Sequence, residues 1–183
     1  MSTQQIPTYE QMMAMFLETR EQIRKVSLQM KKTDRRISDL GGRIGKIVEN
    51  MVKGNIASKF RAFGYENLDD DCSENKKFTN KKLGISGEVD LLLENGDVAV
   101  LIEVKTTLET ADVRKHIERM EKFRRWADAK GVAKKRYIGA VAGAVVEGDA
   151  EKFAHENGMY VIVQSGKAVE IMTPPEGFTA KEW

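Results

Sequence analysis

The feature that most constrains the fold is the stretch from Val98 to Lys105, which is apolar at every position except Glu103 and Lys105. Successive side chains of a β-strand point to opposite faces of the sheet, so a strand that is apolar throughout must be covered on both faces. Such strands lie at the centre of a sheet. The stretch therefore predicts a central strand in an α/β protein.

A second strand is predicted directly before it, from Ile85 to Leu93. The Asn95-Gly96 pair between the two strands is a strong hairpin signal and predicts an antiparallel pairing in which Leu91 faces Val100. Periodicity and turn residues predict a helix over 110–130 with Thr110 as its N-cap, a strand over 137–142, a short helix over 148–157, and strands over 160–163 and 168–171. The polar segment 67–82 has room for one more short strand. The order helix, strand, strand, strand, helix, strand predicts a mixed α/β fold.

The N-terminal part has the pattern of a coiled coil. From Tyr9 to Leu40 the chain contains no Gly or Pro and consists largely of residues that favour helices. Two interleaved rows repeat every seven residues: Phe16, Ile23, Met30, Ile37 and Ile44, and Met12, Thr19, Val26, Thr33, Leu40 and Ile47. We expect self-association into a homodimer or a higher oligomer, with parallel and antiparallel orientations both open. The alternative is an amphipathic helix that packs on the globular part, but that helix would show a broader apolar stripe.

The chain length of 183 residues suits one domain with an appendage. Gly41-Gly42 predicts a break, because each glycine costs about 1 kcal/mol inside a helix. A second helix is predicted over 43–63, with Gly64 as its C-cap. We therefore divide the chain into a coiled-coil segment (1–42), a globular domain (43–175) and an irregular tail (176–183).

Composition narrows the class of protein. The single cysteine, Cys72, excludes an internal disulfide, which fits a reducing compartment. The sequence has no apolar run of membrane-spanning length and no signal-peptide pattern at its start. We expect a cytoplasmic protein with no membrane contact. The net charge is only +2, so an argument for nucleic acid must rest on where the charges lie.

The candidate chemistry lies where the two predicted strands meet. Glu103 and Lys105 point to the same face of their strand, and burying them is costly unless they meet each other, a metal ion or water. The predicted hairpin brings Asp90 diagonally close to Glu103. Two carboxylates at that range repel each other unless a divalent cation neutralises them, and oxygen ligands of this kind suit Mg²⁺. Lys105 is then placed to orient a metal-bound water and to stabilise charge on a phosphate.

The spacing of Asp90 from Glu103-Val104-Lys105 resembles the signature of the PD-(D/E)XK, or restriction-endonuclease-like, nucleases. The resemblance covers about Arg43 to Val163, and Val89 stands where the name-giving proline would be. Gly87-Glu88-Val89-Asp90 followed by Ile102-Glu103-Val104-Lys105 is also similar to a group of nuclease-like proteins that carry an N-terminal coiled coil and are related to Holliday-junction resolvases.

This resemblance implies an α-β-β-β-α-β core and a metal-dependent endonuclease that hydrolyses DNA phosphodiester bonds with Mg²⁺ or Mn²⁺. Asp90, Glu103 and the backbone carbonyl of Val104 would bind the metal ion, and Lys105 would position or activate water. Glu49, on the preceding helix, matches an additional acidic ligand found in many members.

Basic residues concentrate on the helix predicted after the central strand. We expect Arg114, Lys115, Arg119 and Lys122 to contact DNA phosphates, although a solvated helix face balanced by acidic residues explains them about equally well. The basic residues of the coiled-coil segment favour nucleic acid slightly. No helix-turn-helix, zinc finger or RNA-binding signature is present, so sequence-specific recognition is not indicated.

Other interpretations of the same residues stay open. Glu103 and Lys105 form a structural ion pair if their strand is less buried than its sequence indicates. Glu49 is almost as well explained as an exposed helix residue, and Glu88 shares a face with Asp90 and is an alternative ligand.

The remaining polar groups are expected to have no metal-binding role. The acidic run 69–71 is expected to be a solvated loop, and Cys72 is assigned no role. His116 and His155 lack metal-ligand spacing and are expected on helix surfaces. Contact of His116 with phosphate stays open as an alternative, because His116 lies near the end of its helix that is closest to the site. The main alternative function is a catalytically inactive DNA-binding or assembly module with the same fold. A third is an ion-pair-stabilised fold unrelated to nucleic acid.

Overall fold

The computed structural model describes residues 8–66, 68–131, 135–166 and 168–183. Their helices and strands are α1 (Tyr9–Lys53), α2 (Ile56–Ala62), β1 (Cys72–Asn80), β2 (Ile85–Glu94), β3 (Val98–Leu108), α3 (Thr110–Ala129), β4 (Arg136–Val146), α4 (Ala150–Glu156), β5 (Tyr160–Ser165) and β6 (Ala168–Ile171). The chain divides into two compact units, Met1–Arg43 and Ile44–Trp183. Of the helices in these ranges, none has the length and apolar character needed to cross a membrane.

The six strands form one mixed sheet in the order in which they occur along the chain. β1, β2 and β3 are antiparallel neighbours, β3, β4 and β5 are parallel, and β6 is antiparallel to β5. The two parallel connections run through α3 and α4, because parallel strands need a crossover between them. The predicted fold class is confirmed: a mixed α/β sheet in the order α-β-β-β-α-β, preceded by a long helix.

Strand β3 is central and covered on both faces, as its sequence predicts. Its even-numbered side chains, such as Val100 and Ile102, belong to an apolar cluster with α2 and the end of α1. Its odd-numbered side chains Ala99 and Leu101 belong to a second cluster with α3. Phe60 of α2 is fully buried in the first cluster. Glu103 and Lys105 continue the odd row, so α3 covers the face on which they lie.

The hairpin between β2 and β3 forms, but the predicted register is wrong by two positions. Leu91 faces Ile102 rather than Val100. The side-chain oxygen of Asn95 accepts hydrogen bonds from the backbone N–H groups of Asp97 and Val98, at 2.9 and 2.8 Å. Asn is favoured at the first position of a turn for this reason. The turn is therefore centred one residue later than the Asn-Gly pair suggests.

The predicted helix break at Gly41-Gly42 is also wrong, because α1 continues through both residues and ends at Lys53. The glycine penalty is small and local, and the flanking turns of a long helix outweigh it. The chain interrupts its helix instead at Gly54 and Asn55, which separate α1 from α2.

The ends of two further helices test the cap predictions. The C-cap of α2 is Phe63 rather than Gly64, which is the next residue. Gly64 has a φ of +93°, and the N–H groups of Gly64 and Tyr65 donate to the carbonyls of Arg61 and Phe60. Thr110 is the first residue of α3 rather than its N-cap, which is Glu109. The backbone N–H of Glu109 donates to the carboxylate of Asp112 at 3.3 Å. An acidic side chain one turn inside the helix therefore supports its start.

The C-terminal segment after β6 has no helix, but it packs along the sheet. The N–H of Trp183 donates to the carbonyl of Tyr137 at 3.0 Å, and Ile138 forms an isolated bridge with Glu182. β5 pairs with β4 only from Ala140 onward. The tail therefore pairs with the first residues of β4.

Candidate functional site

The strands β2 and β3 separate at Asp90. Their backbone pairing ends with Leu91 and Ile102, and the next pair in this register would be Asp90 and Glu103. Instead, the Asp90 carboxylate accepts a hydrogen bond from the backbone N–H of Val104 at 2.8 Å. The Asp90 side chain thus takes the place of a backbone partner at this point of β3, directly beside Glu103.

A local irregularity of β2 accompanies this separation. Val89 packs in the apolar cluster under α3, whereas Leu91 packs in the cluster on the opposite face of the sheet. Residues two apart in a regular strand share a face, so the alternation breaks at Asp90. On β1, Asn75 has a φ of +49°, and the pairs on either side of it continue in the same register. The sheet is therefore distorted where the candidate carboxylate lies.

Glu103 is buried, and both of its carboxylate oxygens have a cationic partner. The side chain is 4% exposed, and Oε1 accepts from Lys105 Nζ at 2.5 Å. Oε2 accepts from the guanidinium of Arg119 on α3. A buried carboxylate is costly unless it is paired in this way. The ion pair between Glu103 and Lys105 is thus present. It lies on a buried strand, however, and Arg119 is a second cationic partner of Glu103.

His116 is buried in the same region, and its expected position on the helix surface is wrong. Its side chain is fully buried, and Nε2 lies 3.1 Å from the carbonyl of Leu101. Burial lowers the pKa of His116 to about 4, so the ring is neutral near pH 7. A neutral ring that donates from Nε2 to the carbonyl accepts at Nδ1, where Arg119 lies 3.5 Å away. His116 therefore supports the guanidinium that contacts Glu103.

The sequence contained a signal for this burial. Val113, His116, Met120, Phe123 and Ala127 recur at steps of three and four, which is the spacing of one helix face, and all five are buried. His155 is also buried rather than on a helix surface, and its ring packs edge-on against Phe178. For His116, the helical position is thus a better guide to burial than the polarity of the side chain.

Glu49 lies in the last part of α1 and is half-buried. Burial raises its pKa, and the negative charge of Asp90 raises it further, while Lys105 lowers it. The charges of Asp90 and Lys105 therefore act on Glu49 in opposite directions. In the parts of the chain that the structure describes, however, no three Asp, Glu, His or Cys side chains come together as a group that could hold a metal ion. Asp90 and Glu103 form a pair of carboxylates in one cleft rather than a cage.

The cleft has a volume of about 420 Å³. Its lining consists of Ser86, Gly87, Glu88, Asp90, Glu103, Lys105, Lys115, Glu118, Arg119 and Lys122. Four of these are basic and four are acidic, so the lining is formally neutral. The alternative ligand Glu88 is among them, and its carboxylate lies 3.8 Å from Lys77 Nζ. The structure thus brings six of the nine predicted site residues to one cleft, and Glu49, Val104 and Arg114 are not in its lining.

Two other predicted groups lie elsewhere. Arg114 is not in the cleft lining: its guanidinium stacks over the ring of Phe153, 4.4 Å from the ring centre. The acidic run 69–71 is exposed, and Asp70 pairs with Arg61 at 2.6 Å. The basic patch on α3 therefore reaches the candidate site through Lys115, Arg119 and Lys122.

No family model and no curated protein matches the chain. Among solved structures, the chain is similar to one in an EndoMS–dsDNA complex, with 16% identity over 65% of this chain and a TM-score of 0.36. It is also similar to SPO1766, a protein of unknown function from Silicibacter pomeroyi, with 17% identity over 73% of this chain and 70% of that one, and a TM-score of 0.36. The chain spans only 45% of the length of the EndoMS chain. At this level of likeness, the function has to be inferred from the site itself.

Proposed function

We propose that this protein is a metal-dependent nuclease that hydrolyses DNA phosphodiester bonds in the cleft beside α3. The observation that supports the proposal most is the convergence of Asp90, Glu103 and Lys105 where β2 and β3 separate. The burial of the ion-paired Glu103 still carries a desolvation penalty, which can exceed the attraction between the charges. Functional sites are where such costs are commonly found.

The donors in the cleft fit Mg²⁺ or Mn²⁺. Mg²⁺ is commonly bound by one or two carboxylates together with water and substrate phosphates, so a pair such as Asp90 and Glu103 suffices. The backbone N–H of Val104 donates to Asp90, and in this proposal the carbonyl of the same residue would be a third oxygen donor. Glu49 is outside the cleft lining, so in this proposal it would act only through a metal-bound water.

A bound divalent cation would supply an activated water and would polarise the scissile phosphate. The residues of the chain supply positioning. Lys105 is about one-third exposed and lines the cleft. Once the Glu103 carboxylate binds a cation, the ammonium group of Lys105 could hold a water molecule or a phosphate oxygen. Arg119, which pairs with the second oxygen of Glu103, could do the same from the side of α3 once that carboxylate binds the cation.

The charge balance of the cleft leads to a further expectation. Without an ion the lining is neutral, with four basic and four acidic groups. A divalent cation at Asp90 and Glu103 would give the lining a net positive charge, and Lys115 and Lys122 would then bind phosphates at its edge. We therefore expect DNA binding in the cleft to require a divalent cation.

A second candidate is a catalytically inactive DNA-binding or assembly module with the same fold. Two observations favour it: both oxygens of Glu103 are already paired with cations, and no group of three donors is present in the described residues. In that case the ion network of Glu103 would stabilise the sheet beside α3, and no metal ion would displace it.

The experiment compares cleavage of plasmid, branched and single-stranded DNA with Mg²⁺ or Mn²⁺. Glu103→Gln and Lys105→Gln should each lose cleavage by at least about 100-fold, as expected when a group that contacts the reacting atoms is removed. Glu170→Gln, which changes an exposed strand carboxylate outside the cleft, is the matched control and should cleave normally.

Metal binding is measured separately by thermal unfolding. Mg²⁺ at about 100 times its Kd should stabilise the protein by about 2.7 kcal/mol, and Asp90→Asn should remove that effect. DNA binding without cleavage under all conditions supports the inactive module. If Glu103→Gln still cleaves DNA, Glu103 is not a catalytic residue and the protein is not an inactive module. That result contradicts both assignments of this site.

A further inference from the structure

The N-terminal part of α1 has an apolar face without a partner in the described residues. From Thr8 to Ile37 every side chain is exposed except Glu21, which is half-buried. Large apolar side chains are among them, including Phe16, Ile23 and Met30 with 66%, 63% and 61% of their surface exposed. Most of the stability of protein helices comes from packing of their apolar face, so a face of this kind is normally covered. The seven-residue spacing of these side chains points to another helix with the same spacing as the cover.

The two rows of this face differ in a way that selects an orientation. Phe16, Ile23, Met30 and Ile37 form one row, and Met12, Thr19, Val26 and Thr33 form the other. A parallel in-register pair places each row against itself, which stacks Thr19 on Thr19 and Thr33 on Thr33. An antiparallel pair places one row against the other. Every layer then contains a large apolar residue, and no layer is entirely threonine.

The charges favour the same orientation. Residues 9–22 carry three acidic residues and one basic residue, whereas residues 23–37 carry six basic residues and one acidic residue. A parallel pair would bring the two basic halves together. An antiparallel pair places the acidic half of each helix beside the basic half of the other, which lowers the electrostatic free energy of the pair.

We propose that the segment Tyr9–Ile37 pairs with the same segment of a second copy in antiparallel orientation. In the register that overlaps the segments most fully, Phe16 lies opposite the partner's Thr33, and Ile23 lies opposite the partner's Val26. This interface does not depend on the nuclease activity, and failure of either proposal leaves the other standing.

Cross-linking of the full chain tests both the partner and the orientation. Two variants, Phe16→Cys and Thr33→Cys, are made in a Cys72→Ser background that removes the single native cysteine. In the antiparallel pair each of these positions lies about 25 Å along the axis from its own copy in the partner, at 1.5 Å per residue, but directly opposite the other position. One of them carries a tag that changes its size, and the two are mixed, allowed to exchange subunits and treated with a short thiol cross-linker. Antiparallel pairing predicts that the mixed species cross-links several-fold more than either variant alone. Lys25→Cys, on the outer face of the helix, is the control and should not cross-link.

Efficient cross-linking of each variant with itself would show a parallel pair and overturn the proposal, and so would the absence of cross-linking in the mixture. Light scattering measures the mass of the unmodified protein, which should be twice the 20.6 kDa of one chain. A monomeric mass, or dimerisation only after DNA is added, would also overturn the proposal.

Discussion

Replacing His116 with glutamine should reduce the loss of stability that the protein shows as the pH falls from 7 to 5. His116 is fully buried, and burial lowers its pKa from 6.5 to about 4 in the folded protein. Below pH 6.5 the unfolded chain therefore binds a proton that the folded protein does not bind. The free energy of unfolding falls in this range as the pH falls, because protons stabilise the unfolded chain.

The expected magnitude follows from the two pKa values. A pKa difference of about 2.5 corresponds to about 3 kcal/mol once the pH is below both values, and about 2 kcal/mol of that is lost between pH 7 and pH 5. Glutamine does not titrate, and its side-chain amide can still donate to the carbonyl of Leu101, which His116 contacts at 3.1 Å. The variant should therefore lack this part of the pH dependence while keeping the hydrogen bond.

Urea unfolding of both proteins at pH 7 and pH 5, at one protein concentration, measures the difference. His155, whose pKa burial also lowers, is present in both proteins, so its contribution cancels. If the two proteins lose the same free energy of unfolding between these pH values, His116 is not a buried neutral group, and its role in supporting Arg119 is refuted.

Three further outcomes follow from the packing and charge of the domain. Phe60→Ala should lower the free energy of unfolding by about 3–5 kcal/mol, because the ring is fully buried in the cluster under α2. Chemical denaturation measures this loss, and a value below about 1 kcal/mol would contradict that packing. Gly143→Ala should cost about 1–3 kcal/mol, since the added methyl group would lie 2.7 Å from the carbonyl oxygen of Val145; an unchanged melting temperature would contradict that contact. Lys122→Gln should weaken DNA binding alike for all sequences and reduce the slope of log affinity against log salt by about 1, measured by fluorescence anisotropy with Ca²⁺ or Mg²⁺ present. An unchanged slope would place the bound DNA away from this part of α3.

Local sequence patterns predicted the parts of the fold that depend on neighbouring residues. The apolar stretch around Leu101 and Ile102 predicted a central strand, because covering both faces of a strand leaves a continuous apolar signature. Both of these residues are fully buried. Patterns failed where one side chain or a longer element outweighed a local preference. Asn95 moved the turn by one residue, and the helix continued through two glycines that each disfavour it only slightly.

The sequence by itself determined that Glu103 and Lys105 share one face of a buried strand, since side chains alternate along any strand. The sequence also predicted the preceding strand, which carries Asp90. Only the tertiary structure decided how these groups are paired: Asp90 on the amide of Val104, and Glu103 on Arg119 with His116 behind it. The reason is physical. Pairing across elements depends on strand register and on how closely α3 packs against β3, and neither is encoded in the spacing of residues within one element.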